Sequence, residues 1–308
     1  MTIINAVGSL PGLGRLLVNH VISAGNTIDR TELAARLLPK DLRTGDNPTA
    51  SLDTTLTAIR DSGLLAVSGD AVSTTPIVDE FTRGKQVTPQ QFRRLFQKSI
   101  FDPSNEDPWK HGTGDTLTAG AKDLNRALSW FLAQDCMSVV TWDTNSTGVY
   151  SAQALQIDQL PDAETLRPFS NDVRWNTFAR WSVAIGMAEP ALRGNGLHPN
   201  ATVAIRDVTR EMSPTVHRVD DYLAELARRL PVLSGGTMRR GFLQHTDSDP
   251  DPHVSTAALD TTVGQALLAL EEEDLLVLKS EADTGRRTIN MGATPRSVTH
   301  VEILGGGR

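Results

Sequence analysis

A helix that stops at a glycine and runs directly into a two-residue hairpin leaves a small domain few options, and residues 51–75 spell one out. Leu52, Leu56 and Ile59 recur at the three- and four-residue spacing of an amphipathic helix. Asp61-Ser62-Gly63 supplies its stop. Leu64–Ser68 and Ala71–Thr75 then read as short strands, joined by Gly69-Asp70, where glycine tolerates the positive φ of a tight turn. Upstream, Leu10, Leu13, Leu17 and Val21 mark a first helix that ends at Gly25-Asn26. Thr27–Asp29 is short and extended, and Asp29 or Thr31 can cap a second helix running to Leu38. A polar loop over residues 40–48 leads to the third helix, which begins near Thr49 or Ser51. Helix, strand, helix, helix, hairpin is the order of a winged helix, and residues 1–85 are assigned to one.

The other end repeats the pattern. Leu259, Val263, Leu267 and Leu270 set a helix over Val254–Asp274, followed by Leu275–Leu278, a charged tip over 279–287 and Thr288–Met291. AIRDSGLLAV (58–67) and ALEEEDLLVL (269–278) match in character at most places, and Leu-Asp-Thr-Thr precedes both, at 52–55 and 259–262. Residues 240–308 are therefore expected to form a second winged helix. Between the two, Pro89–Ile100 is an amphipathic helix with Phe92, Leu95 and Phe96 inward. Thr118–Gln134 is a second helix, and 141–168 reads as a connection. Trp175, Phe178, Trp181 and Ile185 form an aromatic stripe at helical spacing, which reads as core. Ala201–Met212 and Val216–Leu230 are further helices. The expected fold is α+β, mostly α, with a helical linker domain at 86–170. Region 171–239 is helical and reads either as a degenerate helix-turn-helix or as plain packed helices.

Chemistry is sparse. GSLPGLGR (8–15) lacks the Lys-Ser/Thr pair of a phosphate loop, and helix entry accounts for its glycines. The seven histidines make no HExxH spacing, and no Gly-x-Ser-x-Gly elbow occurs. His245–His253 alternates carboxylates between imidazoles, but prolines stiffen it where a calcium loop needs its turn glycine, so it reads as a linker. The single cysteine, Cys136, permits no internal disulfide and reads as a small apolar residue. No catalytic residue, metal or cofactor is expected. No run approaches the roughly 18–20 apolar residues of a membrane span, and the first residues lack a basic n-region and an apolar h-region. A cytoplasmic protein without membrane contact is expected.

The formal charge of −7 is unevenly spread. Between Arg167 and Arg240 stand eleven arginines against seven acids, whereas Asp251–Asp283 holds eight acids and only Lys279. Phosphate attraction supplies most non-specific nucleic-acid affinity. The candidate duplex-DNA contacts are therefore Arg206, Arg210, Arg218, Arg228, Arg229, Arg239 and Arg240, whose alternative is ordinary solvated helix surface. Glu271, Glu272, Glu273 and Asp274 would oppose a duplex and are the candidate surface for a basic protein partner. The N-terminal third helix offers Thr54, Thr55, Thr57 and Arg60 beside Asp53 and Asp61, a poor set for reading bases.

SLPGLGRLL leading to TELAARLLP, DLNRALSWFLAQD, FARWSVAIGMAEP and ALLALEEEDLLVL occur in an order that resembles the DpdG family. That family is the winged-helix component of bacterial islands that install deazaguanine bases in DNA and restrict foreign DNA. The resemblance implies a role inside a multiprotein anti-phage machine and carries over no functional residue. The expected function is a non-catalytic adaptor subunit partnered by other proteins of such a complex, with duplex DNA as a further partner through the Arg-rich middle. The alternative is a stand-alone dimeric winged-helix transcriptional regulator, and an enzyme subunit is the third reading.

Overall fold

A proline in the first turn and Gly25 at φ 85° just past the end delimit α1 (Pro11–Ser23), the first helix of the computed structural model. The structure describes residues 2–42, 47–105, 108–109, 120–142, 150–160, 164–192, 194–246, 257–281, 285–292 and 294–305. The expected loop at 43–46, residues 247–253 of the histidine-aspartate run and the hairpin tip at 282–284 lie outside them. The chain is α+β and mostly helical, with small sheets. It divides into two units, one of Met1–Glu106, His111–Asn125 and Asn171–Ile185, the other of Asp107–Lys110, Arg126–Ser170 and Gly186–Arg308.

In the first unit, β1 (Thr27–Asp29) ends on Asp29, whose carboxylate accepts from the Thr31 and Glu32 amides and so starts α2 (Arg30–Leu37). α3 (Ala50–Asp61) buries Leu52, Thr55, Leu56, Ala58 and Ile59 and is released by Gly63 at φ 82°. β2 (Leu65–Ser68) and β3 (Ala71–Thr74) follow, turning at Gly69 with φ 57°. The sheet order is β1-β3-β2, all antiparallel, with Ile28 opposite Val72 and Val67 opposite the same residue. α4 (Pro76–Thr82) and α5 (Pro89–Ile100) complete the run, the latter opened by a capping box between Thr88 and Gln91. Leu17, Leu33, Ile59, Val72, Leu95 and Phe96 are fully buried.

α6 (Lys122–Phe131) is followed by β4 (Val140–Thr141) and β5 (Tyr150–Ser151), and Ser151 caps α7 (Ala152–Gln159). The expected connection at 141–168 thus contains an edge strand and a helix, too short for a period to show. α8 (Asp172–Ala184) carries the aromatic stripe, and Trp175, Phe178 and Trp181 are buried as expected. β6 (Ala188–Pro190) and β7 (Leu197–Pro199) form a hairpin in the sheet β5-β4-β7-β6.

The second unit continues with α9 (Thr202–Thr209) and β8 (Val216–Arg218), then α10 (Val219–Arg229) and α11 (Thr237–Leu243). The helix expected over Val216–Leu230 therefore loses its first turn to a strand. α12 (Thr261–Glu272) starts at Asp260, whose carboxylate accepts from the Thr262 amide, and leads into β9 (Leu276–Lys279). The partner of β9 is not Thr288–Met291, as the sequence pattern suggested. β10 (Arg287–Ile289) pairs with β11 (Arg296–Val298), while β12 (His300–Ile303) pairs with both β9 and β8. Val301 and Ile303 on β12 are buried, so the last strand rather than the first return takes the central place in the order β8-β12-β9. The boundary expected at residue 240 falls inside this set, because β8, α9 and α10 lie upstream of it.

The order helix, strand, helix, helix, strand, strand runs uninterrupted from α1 to β3, and it recurs with β4 added from α6 to β7 and with α11 added from α9 to β10. The helix before the strand pair is followed each time by a residue with left-handed backbone (Gly63, Gly186 at φ 72° and Asp274 at φ 54°), two residues before the strand begins. In the first and last sheets the final strand lies between the other two.

Candidate protein and nucleic-acid contact surfaces

The third helices are the natural place to look for base readout, and most polar groups of α3 are spent within the fold. On α3, Thr54 and Thr57 donate to the carbonyls of Ala50 and Asp53, both at 2.9 Å. Thr55 donates to Ser51 O at 2.5 Å and accepts from the Leu10 amide at 3.0 Å. Asp53 pairs with Arg30 of α2 at 2.6 Å, and Arg60 donates twice to Asp61, at 2.9 and 2.7 Å. On α8, Arg174 donates to Asn5, and burial lowers its pKa despite the nearby Asp123 carboxylate. Arg180 of the same helix is exposed. α12 carries no cation at all.

The four carboxylates at the end of α12 separate into two kinds. Glu271 accepts both guanidinium arms of Arg296 on β11 and the Leu278 amide of β9 at 2.9 Å. The Arg296 hydrogen bond, foremost, holds its carboxyl below the usual range. Glu273 takes a two-point ion pair from Arg206 of α9, the helix packed against α12. Glu272 and Asp274 are exposed, and Asp274 is also the left-handed stop of the helix. The acidic docking surface expected over Glu271–Asp274 is thus half consumed by the fold, leaving Glu272 and Asp274.

The arginines fare similarly. Arg206 belongs to Glu273. Arg228 and Arg229 both clasp Glu225, and Arg229 also reaches Glu211 at 3.0 Å. Arg239 is buried, donating to Ser129 O at 2.9 Å and standing 3.3 Å from Asp260. Arg210, Arg218 and Arg240 are exposed and form no ion pair among the described residues. The pairs explain why counting arginines overstated a DNA face: their partners lie elsewhere in the sequence.

Glu225 makes a direct pH test. The Arg228 hydrogen bond, followed by that from Arg229, lowers its carboxyl to about 2. A depressed folded pKa contributes stability that is present above the ordinary value of 4.5 and lost as pH falls toward about 2. Arg228 is largely exposed, so the contribution is at most about 1 kcal/mol. Glu225→Gln should lower the Tm slightly at neutral pH, and the gap to the parent should close as pH drops through that window. A gap that does not change with pH would show that the pairing does not govern this part of the acid response.

Cys136 is buried, its amide 3.4 Å from the Thr261 hydroxyl, and burial pushes its thiol up, away from reactivity. Among the described residues no helix is long and apolar enough to cross a membrane, and no group of three His, Cys, Asp or Glu side chains could hold a metal ion.

A DpdG-like family model matches residues 1–284, most of the chain. The chain belongs to the DpdG-like family. Membership ties this DpdG-like chain to the Dpd deazaguanine-modification system and to a setting of several proteins. Comparison with curated proteins and with solved structures finds no match.

Proposed function

We propose that this DpdG-like chain is a non-catalytic, cytoplasmic adaptor subunit of a deazaguanine DNA-modification or defence assembly. In this reading it is built from winged helices at residues 11–74 and 202–303. The observation that carries the proposal is the state of the third helices. The threonine hydroxyls of α3 bond to its own backbone, Asp53 and Arg60 are ion-paired, and α12 offers a duplex no cation. A winged helix whose third helix cannot read bases has its remaining surface free for protein.

Within that reading, Glu272 and Asp274 face a basic partner, whose complementary charge would raise the association rate and set specificity. Changing them to E272Q and D274N, the second retaining a residue type that tolerates left-handed backbone, should weaken association with other proteins of the modification system. The loss should be largest at low salt. Tagged full-length chain, recovered from cells that carry the whole system, gives the measurement. A chain that instead purifies alone as a dimer and protects one palindromic site would replace the adaptor with a regulator.

A further inference from the structure

The strands that follow the left-handed residues Gly63, Gly186 and Asp274 are each the edge of their sheet: β2 in β1-β3-β2, β6 in β5-β4-β7-β6 and β9 in β8-β12-β9. An edge strand leaves a row of amides and carbonyls without a ladder partner, and folded proteins close such rows with proline, charge or covering groups. Hydrogen bonds fix which residues face outward. The Thr75 amide donates to Leu64 O at 3.3 Å, the Ala191 amide to Gly196 O at 2.9 Å and the Leu304 amide to Leu275 O at 2.9 Å. Antiparallel pairing alternates from there. The residue four places after each left-handed one, Val67, Pro190 or Leu278, therefore turns its backbone away from the sheet.

Two of these three positions are closed. Leu278 donates its amide to Glu271 at 2.9 Å, and its carbonyl accepts from Arg296 at 3.1 Å. Pro190 has no N–H to offer. Val67 has neither device. In the matching segments 58–67 and 269–278, Arg60 stands at the place of Glu271, and it donates to Asp61 instead. Among the described residues no hydrogen bond reaches the outward amide and carbonyl of Val67. Leu65, the other outward residue of β2, is buried, so the open stretch centres on Val67, half-buried between exposed Ala66 and Ser68. A strand that pairs with its own copy sets like residues together, so a charge on it would meet itself. β9 carries Lys279 and β6 carries Glu189, whereas β2 carries no charge and its exposed residues are small.

We propose that β2 is the contact between two copies of this chain, paired antiparallel about a two-fold axis at Val67. Each Val67 amide then donates to the carbonyl of the partner's Val67, and Ala66 lies opposite the partner's Ser68. Such a contact uses the same edge on both copies and closes at two. The inference goes beyond the adaptor reading: the chain enters its assembly as a pair and presents Glu272 and Asp274 twice.

The test is the mass of full-length chain in solution, by sedimentation velocity over a concentration series. The parent should pass from monomer to dimer as concentration rises. V67P removes the outward donor from both copies, and Pro190 shows that proline fits the corresponding place in β6. Losing two hydrogen bonds should weaken the dimer about 10- to 100-fold while the circular dichroism stays that of the parent. For the case that proline disturbs β2, V67K and V67E should each be monomeric because like charges face each other, and an equimolar mixture should recover the dimer. A parent that is monomeric throughout, a V67P form that dimerises like the parent, or a mixture that stays monomeric overturns the proposal. Co-purification of V67P with the other proteins of the system is read in parallel. If the parent is monomeric and V67P alone leaves the complex, the edge belongs to a strand of another protein and the proposal fails. An intact complex leaves the adaptor reading standing whichever way the mass falls.

Discussion

Trp181→Ala is expected to lower unfolding stability by about 3–5 kcal/mol, enough to leave a marginal domain largely unfolded at physiological temperature. Trp181 is fully buried, its ring stacks on Phe96 with centroids 4.7 Å apart, and its indole N–H donates to the Ser9 hydroxyl at 2.9 Å. Alanine removes the ring from between α5 and α8 and leaves Ser9, itself buried, without that donor. Trp181→Phe separates the two effects. It keeps most of the volume, loses the hydrogen bond, and should cost about 1–3 kcal/mol. Denaturant unfolding of both variants gives the numbers. A Trp181→Ala curve that overlays the parent would take the aromatic stripe out of the core.

That stripe was legible in the sequence because helical spacing alone places Trp175, Phe178 and Trp181 on one face. The N-terminal elements were legible for a related reason: each is closed by a local signal. Asp29 caps α2 with its own carboxylate, Gly63 ends α3 at φ 82°, and Gly69 turns the hairpin at φ 57°. At the C-terminal end the helix and its Leu-Leu strand were read correctly, but the strand's partners were not. β12 takes His300–Ile303 between β9 and β8, and β8 lies more than eighty residues upstream. A strand of three residues shows no usable alternation, and register across that separation leaves no local trace. Val140–Thr141 and Tyr150–Ser151 escaped detection in the same way.

Charge was harder to read than shape. A guanidinium and the carboxylate that neutralises it need not be neighbours in sequence, so net charge over a window cannot distinguish a free arginine from a paired one. Arg206 and Glu273, and Arg296 and Glu271, are such pairs. Each takes a residue from what a count of acids or arginines presents as an open surface.

Arg239 shows how far the two kinds of arginine diverge, and Arg239→Leu should cost about 3–5 kcal/mol of stability while leaving DNA affinity per folded molecule unchanged. Its side chain is 4% exposed, donates to the Ser129 carbonyl at 2.9 Å and lies over the Phe242 ring at 5.7 Å. Asp260, 3.3 Å away and 10% exposed, caps α12 through the Thr262 amide. Removing the guanidinium leaves that carboxylate in a poorly solvated place without its counter-charge and withdraws the donor from Ser129. Breaking one side of a buried pair is far more damaging than replacing both. Arg239→Leu/Asp260→Leu should therefore recover part of the loss, offset by the lost cap, which is worth about 0.5–2 kcal/mol. Thermal unfolding of the single and double variants gives the stability arm, and duplex anisotropy well below the melting range gives the binding arm. An Arg239→Leu protein that melts like the parent but binds duplex DNA weakly would return this arginine to the surface and make it a phosphate contact.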